Sequence, residues 1–472
     1  MGHRNVLVIL TDELRRDSLG CYGNPIAKTP NIDKLAADGI QFDNAYTASP
    51  ICVPARASIA TGLYVHETAC WSNAQPYTGT PKSWGHVLKS AGHEVVSVGK
   101  LHFRDTADDN GFSQELMPLH VKGGKGWVHG LLRERLDLFD GSGFAKDIGP
   151  GEDAYTVYDR AVCDTATDWL REKAADPPEK PWAAFVSFLR PHYPMTCPPE
   201  FYNLYDPAQM PASLPATGAD HPILAEMRVA MDYDSHFTEE TRAIAKASYY
   251  GLCSFVDAML GRLMAVLAEI GLDEDTTIIF SSDHGECLGD RGFWTKMVMY
   301  EEAAAVPLIV SGAGVLATGP VTAPVSLVDL YPSILEIAGA DDGGAGPQHA
   351  RSLLTSDSAL DPDRAILSEY HDWGARTGMF MLRWRQWKLV VYPGFASQLF
   401  NLEADPQELR NLIDDPAAAE GLAVCQERLA DILDPDAVNA RALGDQETRI
   451  AELGGRAAIL AMQNYDHTPV EG

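Results

Sequence analysis

Cys52 lies between Pro50 and Pro54, with Arg56 four positions on, in SPICVPARASIATG (49–62). A proline on either side restrains the chain and weakens helix nucleation, so a helix is expected to start at about Ala55. Cys52 then stands just before a helix N-terminus, where unpaired N–H groups and the helix dipole favour an anion. Taken alone, the pattern fits a reactive cysteine or a buried, inert one. Four other stretches end apolar runs in ionisable residues. NVLVILTDE delivers Asp12 and Glu13, and TTIIFSSDHG delivers Asp283 and His284. EVVSVGKLH delivers Lys100 and His102, two apart and so able to share a strand face. WAAFVSFLRPH delivers Arg190 and His192. Each alone could cap a helix or brace a loop. Together, at the carboxyl ends of strands where α/β sheets collect ligands, they predict one site. Asp12, Glu13, Asp283 and His284 offer oxygen ligands and one nitrogen. That set suits one divalent cation, calcium first, with manganese or zinc as alternatives.

The elements that must hold these residues are legible as periodicity. Near-continuous apolar runs at 5–12, 94–102, 182–192, 276–285 and 306–312 read as central parallel strands covered on both faces. Helical patterns lie between them, at 29–39, 240–271 and 326–339. Strand alternating with helix predicts an α/β sandwich around a large, mostly parallel sheet, spanning residues 1–364. From about 365 the texture changes. MFMLRWRQWKLVVYPG (379–394) reads as two antiparallel strands, and LFNLEADPQELRNL (399–412) as a strand, a turn and a helix start. A smaller α+β domain over 365–440, carrying a short antiparallel sheet, is expected. The tail, 441–472, is expected at a subunit interface of a homo-oligomer, a dimer or tetramer.

The 472 residues carry a formal net charge of -29, which argues against nucleic-acid and anionic-membrane partners because both need basic patches. A small anionic substrate responds to local charge instead. The apolar run after the N-terminus is too short for a secretory signal, and no stretch reads as ~18 uninterrupted apolar residues of a membrane span. A cytoplasmic location is expected, with the eight scattered cysteines as small buried hydrophobes.

C-V-P-A-R-A-S-I-A-T-G resembles the signature of the type I, formylglycine-dependent sulfatases of the alkaline phosphatase superfamily. NVLVILTDELRRDSLGCYGNP is similar to that family's first strand and metal loop, and TPNIDKLAADGIQFDNAY to the helix and strand before the signature. SSDHGECLGDRGFWTKMVMYEEAAAVPLIV resembles its second metal loop and lysine segment, and LFNLEADPQELRNL its C-terminal strand and turn. The resemblance implies an alkaline-phosphatase-like fold and hydrolysis of sulfate monoesters, with promiscuity toward phosphonate monoesters and phosphate esters. Phosphonate monoester hydrolase or choline sulfatase activity with the same machinery is the alternative. It implies that a formylglycine-generating (sulfatase-maturing) enzyme oxidises Cys52 to formylglycine, the nucleophile and a metal ligand. Asp12, Asp283 and His284 would complete the metal site. Glu13 ranks below them, because it stands where the family has Asp, Asn or Gln. Arg56 would stabilise the formylglycine hydrate, Lys100 and Lys296 would hold the anionic oxygens of the substrate, and His102 would be the base that releases sulfate. His192 would lie at the leaving-group oxygen, and Asn73, in WSNAQPYTG, would contact the transferred group. His at 284 is similar to the branch of choline sulfatases and phosphonate monoester hydrolases.

Trp71, Trp127, Tyr370, His371 and Trp373 are candidates for a leaving-group pocket, including one for a quaternary ammonium group, although aromatics are more often core. His66, His86 and His93 read as structural, Tyr249 and Tyr250 as packing residues, and the acidic run in 212–240 as a solvated loop or lid.

Overall fold

The computed structural model describes residues 3–216, 221–315, 319–344, 346–354, 361–464 and 468–470. Its largest sheet takes eight strands: β1 (Asn5–Asp12), β2 (Gly39–Phe42), β3 (Val95–Lys100), β4 (Gln114–Leu119), β5 (Ala183–Pro191), β6 (Thr276–Ser282), β7 (Leu308–Gly312) and β8 (Gly319–Val321). The strand order is β8-β2-β7-β6-β1-β5-β3-β4. β1 at the centre pairs in parallel with β5 and β6.

The uninterrupted apolar pattern of β1 follows from burial on both faces. Leu7 and Ile9 face a core shared with helices α1 (Pro30–Ala37), α4 (Ala154–Ala175) and α5 (Glu239–Glu269). Val6, Val8 and Leu10 face the opposite core, with α2 (Cys52–Thr61), α3 (Trp84–Ser90) and α6 (Leu330–Ala338). Helix α5 is long and apolar enough to cross a membrane, yet every residue from Ala245 to Asp257 is buried inside the sandwich.

Three expectations change. β7, read as a parallel strand, runs antiparallel to β6, pairing Leu308 with Ser281. No long crossover helix returns the chain to the far edge, so 283–307, with short helical turns at Asp290–Gly292 and Glu301–Ala304, stays at the carboxyl edge. Helix α2 starts at Cys52, not Ala55. Pro54 falls in the first turn, where a missing N–H costs no intrahelical bond. The helix start expected before 412 is absent. Leu412 N donates to Leu399 O at 2.7 Å and Arg410 N to Asp405 Oδ2 at 2.8 Å, which commits those N–H groups to the turn. The next helix, α7 (Ala419–Ile432), follows a turn of 3-10 helix at 416–418.

β9 (Ile366–Tyr370), β10 (Met379–Trp384), β11 (Trp387–Val391) and β12 (Gln398–Asn401) form a four-stranded antiparallel sheet, covered by α7. Helix α8 (Pro435–Glu452) follows. Thr468, in the described part of the tail, contacts the carboxyl edge of the large sheet of its own chain. Residues 465–467 and 471–472 of the tail, and Asp220 of the acidic run, lie outside the described residues.

Candidate active site

The predicted strand ends converge. β1 ends in Asp12, β6 leads into Asp283 and His284, β3 ends in Lys100, and β5 leads into His192. Helix α2 presents Cys52 at its first turn over this edge. Cys52 Sγ is 3.2 Å from His284 Nε2 and 3.6 Å from Asp12 Oδ1. His284 Nε2 also lies 3.6 Å from both Asp12 Oδ1 and Asp283 Oδ1. One ligand atom from each of Asp12, Cys52, Asp283 and His284 falls within 4.8 Å of the others, and all four residues are buried. His284 Nδ1 is 3.0 Å from Gly285 O, to which it donates as the Nδ1–H tautomer, leaving a lone pair on Nε2 facing the carboxylates. Two carboxylates and an open imidazole nitrogen around one point fit a divalent cation.

Arg56, one turn along α2, ties the cluster together. Its Nε donates to Asp283 Oδ2 at 2.8 Å and its Nη2 to Asp12 Oδ2 at 3.4 Å. Its Nη1 donates to Lys100 O at 2.7 Å and Ser187 Oγ at 2.9 Å. Lys100 Nζ is hydrogen-bonded to Asp12 Oδ2. Burial opposes the Asp12 charge, but the charges of Lys100 and Arg56 outweigh it and hold the carboxyl well below its usual range. Burial, followed by Asp12, pushes the Cys52 thiol up to about 12. Unmodified Cys52 is therefore a neutral thiol at neutral pH, the wrong protonation state for thiolate chemistry.

Glu13 turns away from the four-residue cluster. It has φ 68°, its Oε2 lies 3.0 Å from Lys296 Nζ and 3.4 Å from His192 Nε2, and its carbonyl accepts from Tyr249 Oη at 2.7 Å. Its carboxylate pairs with Lys296, and it also groups with Asp12 and His192, one ligand atom of each lying within 4.8 Å of the others, so its expected metal-ligating role falls beside the four-residue set and not within it. Tyr249, read as packing, thus also braces this loop. Lys296 Nζ donates to His192 Nε2 at 2.9 Å, while His192 Nδ1 donates to Tyr193 O at 2.6 Å. Burial and Lys296 hold His192 well below the ordinary histidine range; burial, Lys100 and Arg56 do the same for His102. Both rings are neutral at pH 7.

His102 lies beyond the end of β3 with φ 58°, so strand alternation does not orient it, yet it reaches the same cavity as Lys100. That cavity is lined by Cys52, Asn73, Lys100, His102, His192 and Lys296, and by an aromatic wall of Trp127, Phe139, Tyr233 and Trp373. Asn73 Oδ1 accepts from Val53 N at 3.0 Å, holding the first turn of α2. Arg190 is absent from the cavity: its guanidinium is bonded to Asp153 and to the carbonyls of His192 and Pro194.

Of the five candidate pocket aromatics, Trp127 and Trp373 line the cavity. Trp71 is instead bonded through Nε1 to Asp445 at 2.9 Å, Tyr370 through Oη to Trp373 O at 2.7 Å, and His371 Nε2 lies 3.3 Å from Glu369 Oε2. Phe139, Tyr155, Tyr193, Tyr233 and Thr468 join the lining without any local pattern that marked them. His66, His86 and His93 are structural, held to Glu369, Ser83 and Pro181 O.

A sulfatase family model matches residues 4–340, and a model described as N-sulphoglucosamine sulphohydrolase, C-terminal, matches 289–434. A choline-sulfatase from Rhizobium meliloti (strain 1021) is 30% identical over 429 residues, 88% of this chain and 83% of the relative. Arylsulfatase K from Bos taurus is 31% identical over 442 residues, 86% of this chain and 78% of the relative. The solved structure of a phosphonate monoester hydrolase from Silicibacter pomeroyi superposes with a TM-score of 0.73 at 26% identity, covering 91% of this chain and 94% of that one.

Proposed function

The chain belongs to the sulfatase family and is a sulfuric ester hydrolase, and on that premise we propose that it cleaves sulfate monoesters of aryl or small organic alcohols through residue 52, oxidised from cysteine to formylglycine. The observation that carries this reading is the set of groups around Cys52: two buried lysines and two neutral imidazoles in one cavity, beside two carboxylates and an imidazole grouped for a cation. The partner this requires is a maturing enzyme that acts on C-V-P-A-R.

Formylglycine supplies a geminal diol, with one oxygen to attack sulfur and a second to expel sulfate. A divalent cation held by Asp12, Asp283, His284 and residue 52 would lower the pKa of the attacking hydroxyl, with calcium, manganese or zinc compatible with these ligands. The chain's own groups do the remainder. Arg56 anchors both metal-site carboxylates through its hydrogen bonds to Asp283 and Asp12. Lys100 and Lys296 offer positive charge to the oxygens of the transferred group, inside a site shielded from water. His192, hydrogen-bonded to Lys296 in the same cavity, would partner the departing alcohol oxygen. His102, neutral, accepts the proton whose loss releases sulfate.

Phosphonate monoesters present the same anionic oxygens and react in line, so the cradle accepts them too, and the likeness to the phosphonate monoester hydrolase favours that second activity. The aromatic wall would stack an aryl leaving group or hold a quaternary ammonium. The test has two parts. Peptide mass spectrometry of protein made with a maturing enzyme should show residue 52 lighter by about 18 Da, as oxidation of thiol to aldehyde requires. Rates on an aryl sulfate, choline sulfate and a phenyl phosphonate then rank the substrates. An unmodified, fully active Cys52 would refute the mechanism, and a phosphonate turned over far faster than either sulfate would make phosphonate hydrolysis the main activity.

A further inference from the structure

Thr468 lies 366 residues after His102 in the chain, yet its Oγ1 is 2.7 Å from His102 Nε2. Both line the cavity that holds Cys52. Each partner is held from a second side. The His102 backbone is fixed by its N–H, which donates to Leu119 O at 2.9 Å, and by its left-handed conformation. The Thr468 carbonyl accepts from Tyr155 Oη at 2.7 Å. Tyr155 is itself buried in the first turn of α4. The other ring nitrogen, His102 Nδ1, is buried without a hydrogen-bond partner. A buried imidazole with one nitrogen satisfied by a hydroxyl and the other unpaired inside a reactive pocket is arranged for proton exchange at the unpaired atom.

We propose that Thr468 is a positioning residue of the active site: its hydroxyl accepts from Nε2–H of His102, fixing the tautomer that leaves the Nδ1 lone pair to take a proton from residue 52. This rests on the assignment of His102 as the base that releases sulfate. In that step an O–H proton of sulfated residue 52 passes to His102 Nδ1, the O–H electron pair forms the aldehyde C=O, and the C–O bond to sulfate breaks with its pair leaving on sulfate. The imidazolium so formed carries two N–H donors. Nε2–H then needs an acceptor, and Thr468 Oγ1 supplies one with no charge of its own. A carboxylate in that place would raise the basicity of the ring; a hydroxyl orients it and leaves it neutral between turnovers.

The two claims separate experimentally with Thr468→Val, Thr468→Ser and His102→Gln. Thr468→Val keeps the shape and removes the hydroxyl, and Thr468→Ser restores it. Ring 15N spectra of histidine-labelled protein carrying unmodified Cys52 should show one histidine, identified by its absence in His102→Gln, as a fixed Nε2–H tautomer in wild type and Thr468→Ser. In Thr468→Val that signal should move toward a tautomer average. In matured enzyme, Thr468→Val should release the first equivalent of alcohol at the wild-type rate, as a burst, and then turn over about tenfold more slowly, as loss of an outer hydrogen-bond partner of a site histidine typically costs. Thr468→Ser should be within about twofold of wild type. Wild-type ring signals and kinetics in Thr468→Val, with His102→Gln impaired, would overturn the role of Thr468 and leave that of His102 standing. Undiminished turnover in His102→Gln would overturn the base assignment itself. A raised KM without a burst would place Thr468 in substrate binding instead.

Discussion

At the scale of single residues, Cys52 and Arg56 explain each other. Arg56 spans Asp12, Asp283, Lys100 O and Ser187 from one guanidinium, a set of directions that a lysine ammonium could not reproduce. It thereby fixes the orientation of two buried carboxylates beside Cys52. On the proposed mechanism, position 52 would need two oxygens on one carbon, one to form the ester with sulfate and one to break it. A serine offers only the first. In Cys52→Ser, transfer to the side chain is expected without release: steady-state turnover should fall by ~10²–10⁴, the range carried by a lost proton-transfer step. Intact mass after exposure to substrate should show one sulfuryl group retained. A Cys52→Ser protein that turns over at the rate of the matured enzyme would mean that a simple hydroxyl suffices.

At the scale of elements, the site is legible where a strand carries its chemistry to its own end. Asp12, Lys100, Asp283, His284 and His192 all follow apolar runs, and the rule that α/β sheets gather ligands at one edge brings them together without further information. Lys296 and Asn73 are different. They sit on loops with no periodicity, and only their likeness to a known motif marked them. The antiparallel direction of β7 was hidden because an apolar run of five residues reads the same both ways; what decides it is the path of 283–307, which stays at the catalytic edge. The aromatic wall was mixed for a similar reason, since Trp127 and Trp71 look alike in sequence, and only the fold shows that Trp71 packs against Val65 and Ala442 while the Trp127 loop lines the cavity. That loop depends on Gly126. Its φ is 70°, and a Cβ there would lie 1.8 Å from Asn73 O, the acceptor of Trp127 N–H. Gly126→Ala should therefore separate the Trp127 loop from Asn73. The expected cost is about 1–3 kcal/mol in a urea unfolding curve, from backbone strain, with KM rising more than kcat falls. An unchanged KM would show that the wall does not touch the substrate.

At the scale of the whole molecule, the buried carboxylates fall into two groups that act on stability in opposite directions. Burial raises Asp159 and Glu408 to about 7 and Asp257 and Asp372 to about 6. Glu301 and Glu369 are held at about 2: burial opposes, but Lys388 and Arg16 prevail for the first, and hydrogen bonds from His371 and His66 for the second. For the raised group the folded chain binds protons before the unfolded chain does, so stability grows as the pH falls from about 7 and is complete below about 4, the ordinary carboxylate range. For the depressed group the stabilisation is present above about 4.5 and is lost as the pH falls toward 2. The net charge of -29 adds a self-repulsion that also eases on acidification. The raised carboxylates and the net charge favour acid, and the depressed pair sets the lower limit, which places the most stable state near pH 5. The urea midpoint should rise between pH 7.5 and 5, by an amount equivalent to on the order of 2 kcal/mol or more, and fall again below about pH 4. Lys388 bridges Glu301 and Glu408 from β11 at 3.0 and 2.8 Å. Lys388→Met removes the largest attraction that holds Glu301 down, so it should flatten the acid limb while lowering stability at every pH above it. A midpoint that is highest at pH 7.5 in the wild type would mean that the raised carboxylates are ionised in the folded chain.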